Sequence, residues 1–197
     1  MLILVRHGES ELNARNCLVG RLDPALTDLG KRQAQAAGAT LGVVGELLVS
    51  PLTRTQQTAV LLNTSCELAT DERVIEVDYG ELDGTPLEAI ESSLWERWRT
   101  DPTFAPPRGE SLATLADRIT PVMEEMFSTP GERARSRDHD VVIVSHVSPI
   151  KACVAWALEA DPLLAWRLRL STGSITRIAF GPAGPQLLGF NEVPDLL

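Results

Sequence analysis

The chain has 197 residues, 18 basic and 27 acidic, giving a net charge of -9, and 44% of it is hydrophobic. That length and balance suit one domain with a core of its own, and the acidity speaks against nucleic acid or an anionic membrane as partner. No apolar run approaches the ~18 residues of a membrane span. Cys17, Cys66 and Cys153 form no CxxC pair and fit no zinc spacing, so free thiols in the cytoplasm are expected. No basic segment precedes Leu2, and the apolar run there stops at Arg6, so no secretory leader is expected.

The first predicted strand, Leu2 to Val5, runs straight into Arg6-His7-Gly8. A polar loop from His7 to Asp23 follows. Thr27 reads as an N-cap, with Asp28 in the first turn and Leu29, Ala34, Ala37 and Leu41 at helical spacing up to a stop at Gly42. Glu46 to Ser50 is the next strand. Pro51 opens a helix through about Leu62 that carries Arg54 in its first turn, where free backbone N–H groups favour an anion. A short strand is expected from Cys66 to Thr70.

Arg73 to Gly84 is acidic, with Glu76, Asp78, Glu81 and Asp83. The texture then changes: Trp95 and Trp98 are followed by Pro102, Pro106, Pro107 and Gly109, which break regular structure. An excursion over about 78–111 is expected to act as a lid. Leu112, Leu115, Ile119, Val122, Met123 and Met126 mark one face of a helix, and Thr129 to Asp140 a charged loop that includes His139, expected on the surface. The run Val141 to Val144 repeats the opening grammar and enters Ser145-His146. Pro149 opens a helix through about Leu158. Ile175 to Phe180 and Gln186 to Phe190 read as a hairpin.

Short β-branched and Leu-rich runs suit strands buried on both faces of a parallel sheet, and their alternation with helices predicts an α/β fold. Ligands in such sheets sit beyond the carboxyl ends of the strands. Three strand ends would then gather Arg6, His7, Arg54 and His146 around a phosphate. A neutral His7 fixed by its own backbone can attack phosphorus. His146 can hold a phosphoryl oxygen, and Arg6 and Arg54 can clamp the others. Spacing alone does not separate Glu76 from Asp78 or Glu81 as proton donor; neighbouring carboxylates and burial would raise its pKa.

Leu4-Val5-Arg6-His7-Gly8-Glu9-Ser10 resembles the signature of the histidine phosphatase superfamily, in its phosphoglycerate-mutase-like branch. Ala25 to Gly30, Ser50 to Ala59, Glu76-Val77-Asp78-Tyr79-Gly80 with Gly84, Gly109-Glu110-Ser111 and Ser145-His146 resemble its later segments in order. The resemblance implies a three-layer α/β/α sandwich with a mostly parallel sheet, spanning 1–197 as one domain. It implies a phosphohistidine on His7, with Glu76 as acid and base. Arg6, Arg54, His146, Asn13 and the Gly20 amide would hold phosphate, and Tyr79 and Val147 would touch substrate. No metal and no cofactor are implied. The family usually has Gly where Val147 stands, which puts substrate preference in doubt.

A phosphomonoesterase acting on a small anionic phosphate ester is the favoured function. Mutases of the family carry more basic residues after the acid segment than Arg97, Arg99 and Arg108 provide. Phosphoglycerate mutase and ribazole-phosphate phosphatase remain alternatives. A non-catalytic phospho-ligand module would have lost His7 or Glu76, and a metallohydrolase built on His7, Glu9 and His146 has no HExxH-like spacing behind it. A homodimer stays open.

Overall fold

The computed structural model describes residues 1–127 and 139–196. A six-stranded sheet has the order β3-β2-β4-β1-β5-β6. Its members are β1 (Leu2–Arg6), β2 (Val44–Val49), β3 (Leu68–Thr70), β4 (Asp140–Ser145), β5 (Ile175–Gly181) and β6 (Gly184–Glu192). Strands β1 to β4 pair in parallel, β5 lies antiparallel to β1, and β6 closes a hairpin with β5. The helices are α1 (Glu11–Ala14), α2 (Asp28–Ala39), α3 (Thr53–Leu61), α4 (Ser92–Thr100), α5 (Leu112–Phe127) and α6 (Val147–Ala157).

The central strands carry no polar face because both faces are covered. Leu2, Leu4, Val141 and Ile143 pack with α5 and α6 through Leu115, Ile119, Met123 and Ile150. Ile3, Val5, Val142 and Val144 pack with α2 and α3 through Ala37, Ala59 and Leu62. The result is the three-layer α/β/α architecture read from the sequence.

Element boundaries moved where tertiary partners outweigh local signals. α2 ends at Ala39, before Gly42, where the Thr40 hydroxyl and amide both return to the Ala37 carbonyl. α3 starts at Thr53, not Pro51, because Asp23 from a distant loop caps it: its carboxylate accepts the Thr53 N–H and hydroxyl, each at 2.6 Å. α6 starts at Val147, with His146 as N-cap and Pro149 inside the first turn, where no N–H is needed. Most of the charged loop expected at 129–140 lies outside the described residues. Of its end, Asp140 opens β4 and binds the Met1 ammonium at 2.8 Å, and His139 is half-buried against Gly45 rather than on the surface.

Residues 78–111 leave the sheet in two 3₁₀ turns, Gly80–Leu82 and Leu87–Ala89, then α4. With Leu18 from the loop before α2 they bury a small core of Ile90, Trp98 and Phe104.

Candidate active site

β1 and β4 pair in register, Arg6 opposite Ser145, so His7 and His146 leave adjacent strands side by side. Their ring centroids are 5.1 Å apart. Both side chains are buried, as are Arg54 and Glu76.

His7 Nδ1 lies 2.6 Å from the Gly8 carbonyl oxygen. A carbonyl only accepts, so Nδ1 carries the proton and Nε2 presents its lone pair. Arg54 Nε–H donates to that Nε2 at 3.3 Å. Burial, then the cations Arg54 and Arg6, hold the His7 pKa well below 6.5, and the ring is neutral at physiological pH. The Gly8 carbonyl is itself fixed. Gly8 N–H donates to Thr58 Oγ1 at 3.1 Å, and a Cβ on Gly8 would stand 2.1 Å from the Gly30 carbonyl oxygen in the first turn of α2.

His146 Nε2 lies 2.7 Å from Ser50 Oγ, while its buried Nδ1 has no partner among the described residues. Arg6 Nη1 donates to the Leu170 carbonyl at 2.6 Å, and its buried Nε is likewise unpartnered. Burial lowers the Arg6 pKa to about 10, with Glu76 opposing the shift, so the guanidinium stays charged. Arg54 is 0% exposed; its Nη1 and Nη2 donate to the Leu22 and Gly20 carbonyls, each at 2.8 Å.

Glu76 Oε1 accepts the Val77 N–H at 2.8 Å and the Ser148 N–H, in the first turn of α6, at 3.2 Å. Burial raises its pKa, outweighing those amides and the two arginines. The neighbouring carboxylates expected to help do not reach it. Asp78 Oδ1 accepts the Gly80 N–H, and Glu81 pairs with Arg108 at the surface.

A cavity of about 480 Å³ opens over Arg6, His7 and Glu76 and is lined also by Asn13, Tyr79 and Val147; Arg54 and His146 lie fully buried behind His7 and are not part of its wall. Gly20 is not brought to it. Its N–H donates to Asp83 Oδ1 at 2.7 Å, so the expected amide contact is replaced by a contact within the protein. Asn13 Oδ1 accepts from Ser10, which leaves its amide nitrogen for the cavity. Among the described residues no group of three or more His, Cys, Asp and Glu is arranged to hold a metal ion, and no helix is long and apolar enough to cross a membrane.

Sequence reasoning missed the supports. Ser50 and Thr58 stand in the motif around Arg54, and two hydroxyls on a buried segment were the available signal. Arg21 Nε holds the Glu76 carbonyl at 2.8 Å. Glu110 takes the Arg118 fork at 2.7 and 3.0 Å; its carboxylate also accepts the Asp78 N–H at 3.3 Å and its own N–H donates to the Asp78 carbonyl at 2.7 Å, tying down the acid segment. Exposed Arg169 lines the cavity with no motif to announce it.

Residues 2–193 match the histidine phosphatase superfamily (branch 1). The chain belongs to that superfamily. It spans about half the length of the first curated relatives it matches, mycobacterial proteins 33% identical over 91% of this chain and 50% of theirs. A glucosyl-3-phosphoglycerate phosphatase of Mycolicibacterium vanbaalenii is 36% identical over 84% of this chain and 76% of that one. A 2,3-bisphosphoglycerate-dependent phosphoglycerate mutase of Azorhizobium caulinodans is 32% identical over 88% and 89%. Among solved structures, the mycobacterial glucosyl-3-phosphoglycerate phosphatase complexed with VO3 aligns with a TM-score of 0.87 at 29% identity, over 97% of this chain and 98% of that one. A histidine-phosphatase fold therefore holds the cavity just described.

Proposed function

We propose that the chain is a phosphomonoesterase that passes the phosphoryl group of a small phosphorylated metabolite through His7 to water. The observation that carries this reading is a pair of buried, unpartnered nitrogens, Arg6 Nε and His146 Nδ1, beside a neutral imidazole whose lone pair faces a cation. Burying such groups without partners is costly, and an oxyanion among them removes that cost.

The His7 Nε2 lone pair attacks phosphorus and the P–O ester bond breaks. Glu76, whose pKa burial raises, gives its proton to the leaving oxygen. Water then attacks the N–P bond's phosphorus, Glu76 takes the water proton, and inorganic phosphate leaves with His7 neutral again. Arg6, Arg54, His146 and Asn13 hold the three equatorial oxygens as charge builds on them. Tyr79 and Val147 touch the rest of the ester. Residues 78–111 serve as a lid in a single catalytic domain. The three thiols are unpaired, which favours a reducing cytoplasm.

The mutase relative makes phosphoglycerate mutase the second reading. Against it, the basic residues of the excursion are engaged away from the phosphate cavity. Arg97 lies over Phe104 at 4.3 Å, Arg99 lies near Trp95 and Trp166, and Arg108 pairs with Glu81. For the ribazole-phosphate alternative there is a fold likeness, at 21% identity, to an Escherichia coli structure described as a putative alpha-ribazole-5'-P phosphatase. Phosphate release from a panel of phosphorylated metabolites, run beside a 3-phosphoglycerate mutase assay, tests the choice. Release by the native chain and none by His7→Ala supports it; mutase turnover without release overturns it.

A further inference from the structure

A second cavity, of about 320 Å³, adjoins the first and shares Leu18, Tyr79, Leu87 and Val147 with it. That volume lies within the range of small-molecule sites. Its walls are indoles: Trp95, Trp98 and Trp166 stand 5.7 to 6.1 Å apart, centroid to centroid. A cation lines this apolar space: Lys151 is half-buried, with no hydrogen bond or ion pair among the described residues. The Tyr79 and Ser148 hydroxyls, also in the lining, pair with each other at 3.3 Å. Packing alone explains the indoles, but it explains neither the empty volume nor a cation left inside it.

We propose that this cavity is the leaving-group subsite, and that it takes esters whose alcohol carries a flat apolar ring ending in a carboxylate or similar anionic acceptor. The proposal rests on the phosphomonoesterase reading. Indole faces suit a flat ring, and a polyhydroxy alcohol would lose its water there without enough partners in return. Lys151 supplies the charge for the far end, and Arg99, near Trp95 and Trp166 at 5.8 and 5.9 Å, further positive potential. The placement fits one continuous substrate. Ser148, whose amide holds Glu76, and Lys151 sit three residues apart on α6, about 4.5 Å along its axis. Burial lowers the Lys151 pKa, and the Glu76 carboxyl opposes that shift.

Three esters of primary alcohols test this with little change in leaving-group basicity: propyl phosphate, 3-phenylpropyl phosphate and 3-(4-carboxyphenyl)propyl phosphate. We expect kcat/KM to rise about tenfold at each step, as ring burial and one charge pair allow. Lys151→Met should bring the ratio between the last two close to one, and Trp166→Ala, which removes a wall, should lower the ratio between the first two. The free alcohol 3-(4-carboxyphenyl)propan-1-ol should saturably quench tryptophan fluorescence, a readout that needs no catalysis. Equal kcat/KM for all three esters, or no saturable quenching, overturns the subsite and leaves the phosphatase reading standing. An unchanged ratio in Lys151→Met overturns the anionic end of the ligand. Saturable quenching with no phosphate from any ester keeps the ring site and overturns the phosphatase reading.

Discussion

The two adjoining cavities are built in opposite ways. The strand-end cavity is polar, and its reactive groups are buried and oriented by backbone: Gly8 fixes His7, β4 places His146, and the amides of Val77 and Ser148 hold Glu76. The aromatic cavity is apolar and assembled from separate pieces, α4, α6 and the 3₁₀ segment Pro162–Arg167. Under the proposed reading, the first performs one chemistry on any ester that fits, and the second chooses among esters. Substitutions in the first should therefore change rates for all esters alike, and substitutions in the second should change their ratios.

The largest effect should come from His7→Ala, which removes the attacking nitrogen. A loss of at least about 10³-fold for every ester is expected in a phosphate-release assay. Retained turnover would mean that the strand-end cavity binds without reacting. Arg54→Lys comes next. The ammonium keeps charge but loses the fork that meets His7 Nε2 and the Gly20 and Leu22 carbonyls. About 10²-fold in kcat/KM, uniform across esters, is expected.

Glu76→Gln should divide esters by leaving-group basicity rather than by shape. Alkyl phosphates need the proton and should lose about 10²-fold, while p-nitrophenyl phosphate should lose far less. The pH profile carries the same information. The His7 pKa is lowered below 6.5, so the neutral nucleophile fails only on the acid side, below that value. The Glu76 pKa is raised above 4.5, so the protonated acid persists beyond the ordinary carboxyl range and fails on the alkaline side. The kcat/KM profile of the native chain should be a bell whose alkaline limb disappears in Glu76→Gln. An alkaline limb that survives would assign it to another group.

The same contrast explains what the sequence disclosed. Arg6 and His7 are consecutive, and His146 follows a strand of the same grammar, so parallel pairing alone brings them together. Arg54 was ambiguous as a helix residue on its own. It proves fully buried because its guanidinium anchors the loop carbonyls of Gly20 and Leu22, a long-range demand that no local pattern carries. The Gly20 amide was misjudged for a similar reason: Asp83, 63 residues away, reaches it first. Trp95 and Trp98 serve both as wall and as packing. Trp98 and Phe104 pack together in the excursion's small core, yet Trp95 and Trp98 also face the cavity while Phe104 does not. Trp166 and Lys151 had no motif, since their meeting depends on how α6 and the segment after it lie against α4.

The smallest effect separates holding a group from being one. Ser50 Oγ is 2.7 Å from His146 Nε2, and the Thr55 hydroxyl bonds the Ser50 carbonyl at 2.8 Å, so the serine is held in place. If the Ser50 hydroxyl donates to Nε2, the His146 proton sits on Nδ1, the nitrogen left unpartnered beside the cavity and suited to a phosphoryl oxygen. Ser50→Ala removes that bias without touching the nucleophile. A loss of about 2- to 13-fold in kcat is expected, following the ~0.5–1.5 kcal/mol of one hydrogen bond. KM and the ester ratios should hardly move, and Ser50→Thr should recover most of the rate. Nitrogen-15 shifts of His146 should show protonated Nδ1 in the native chain and a mixed tautomer in Ser50→Ala. A native ring protonated on Nε2 would reverse the roles, making Ser50 the acceptor and leaving Nδ1 without a proton to offer the phosphate.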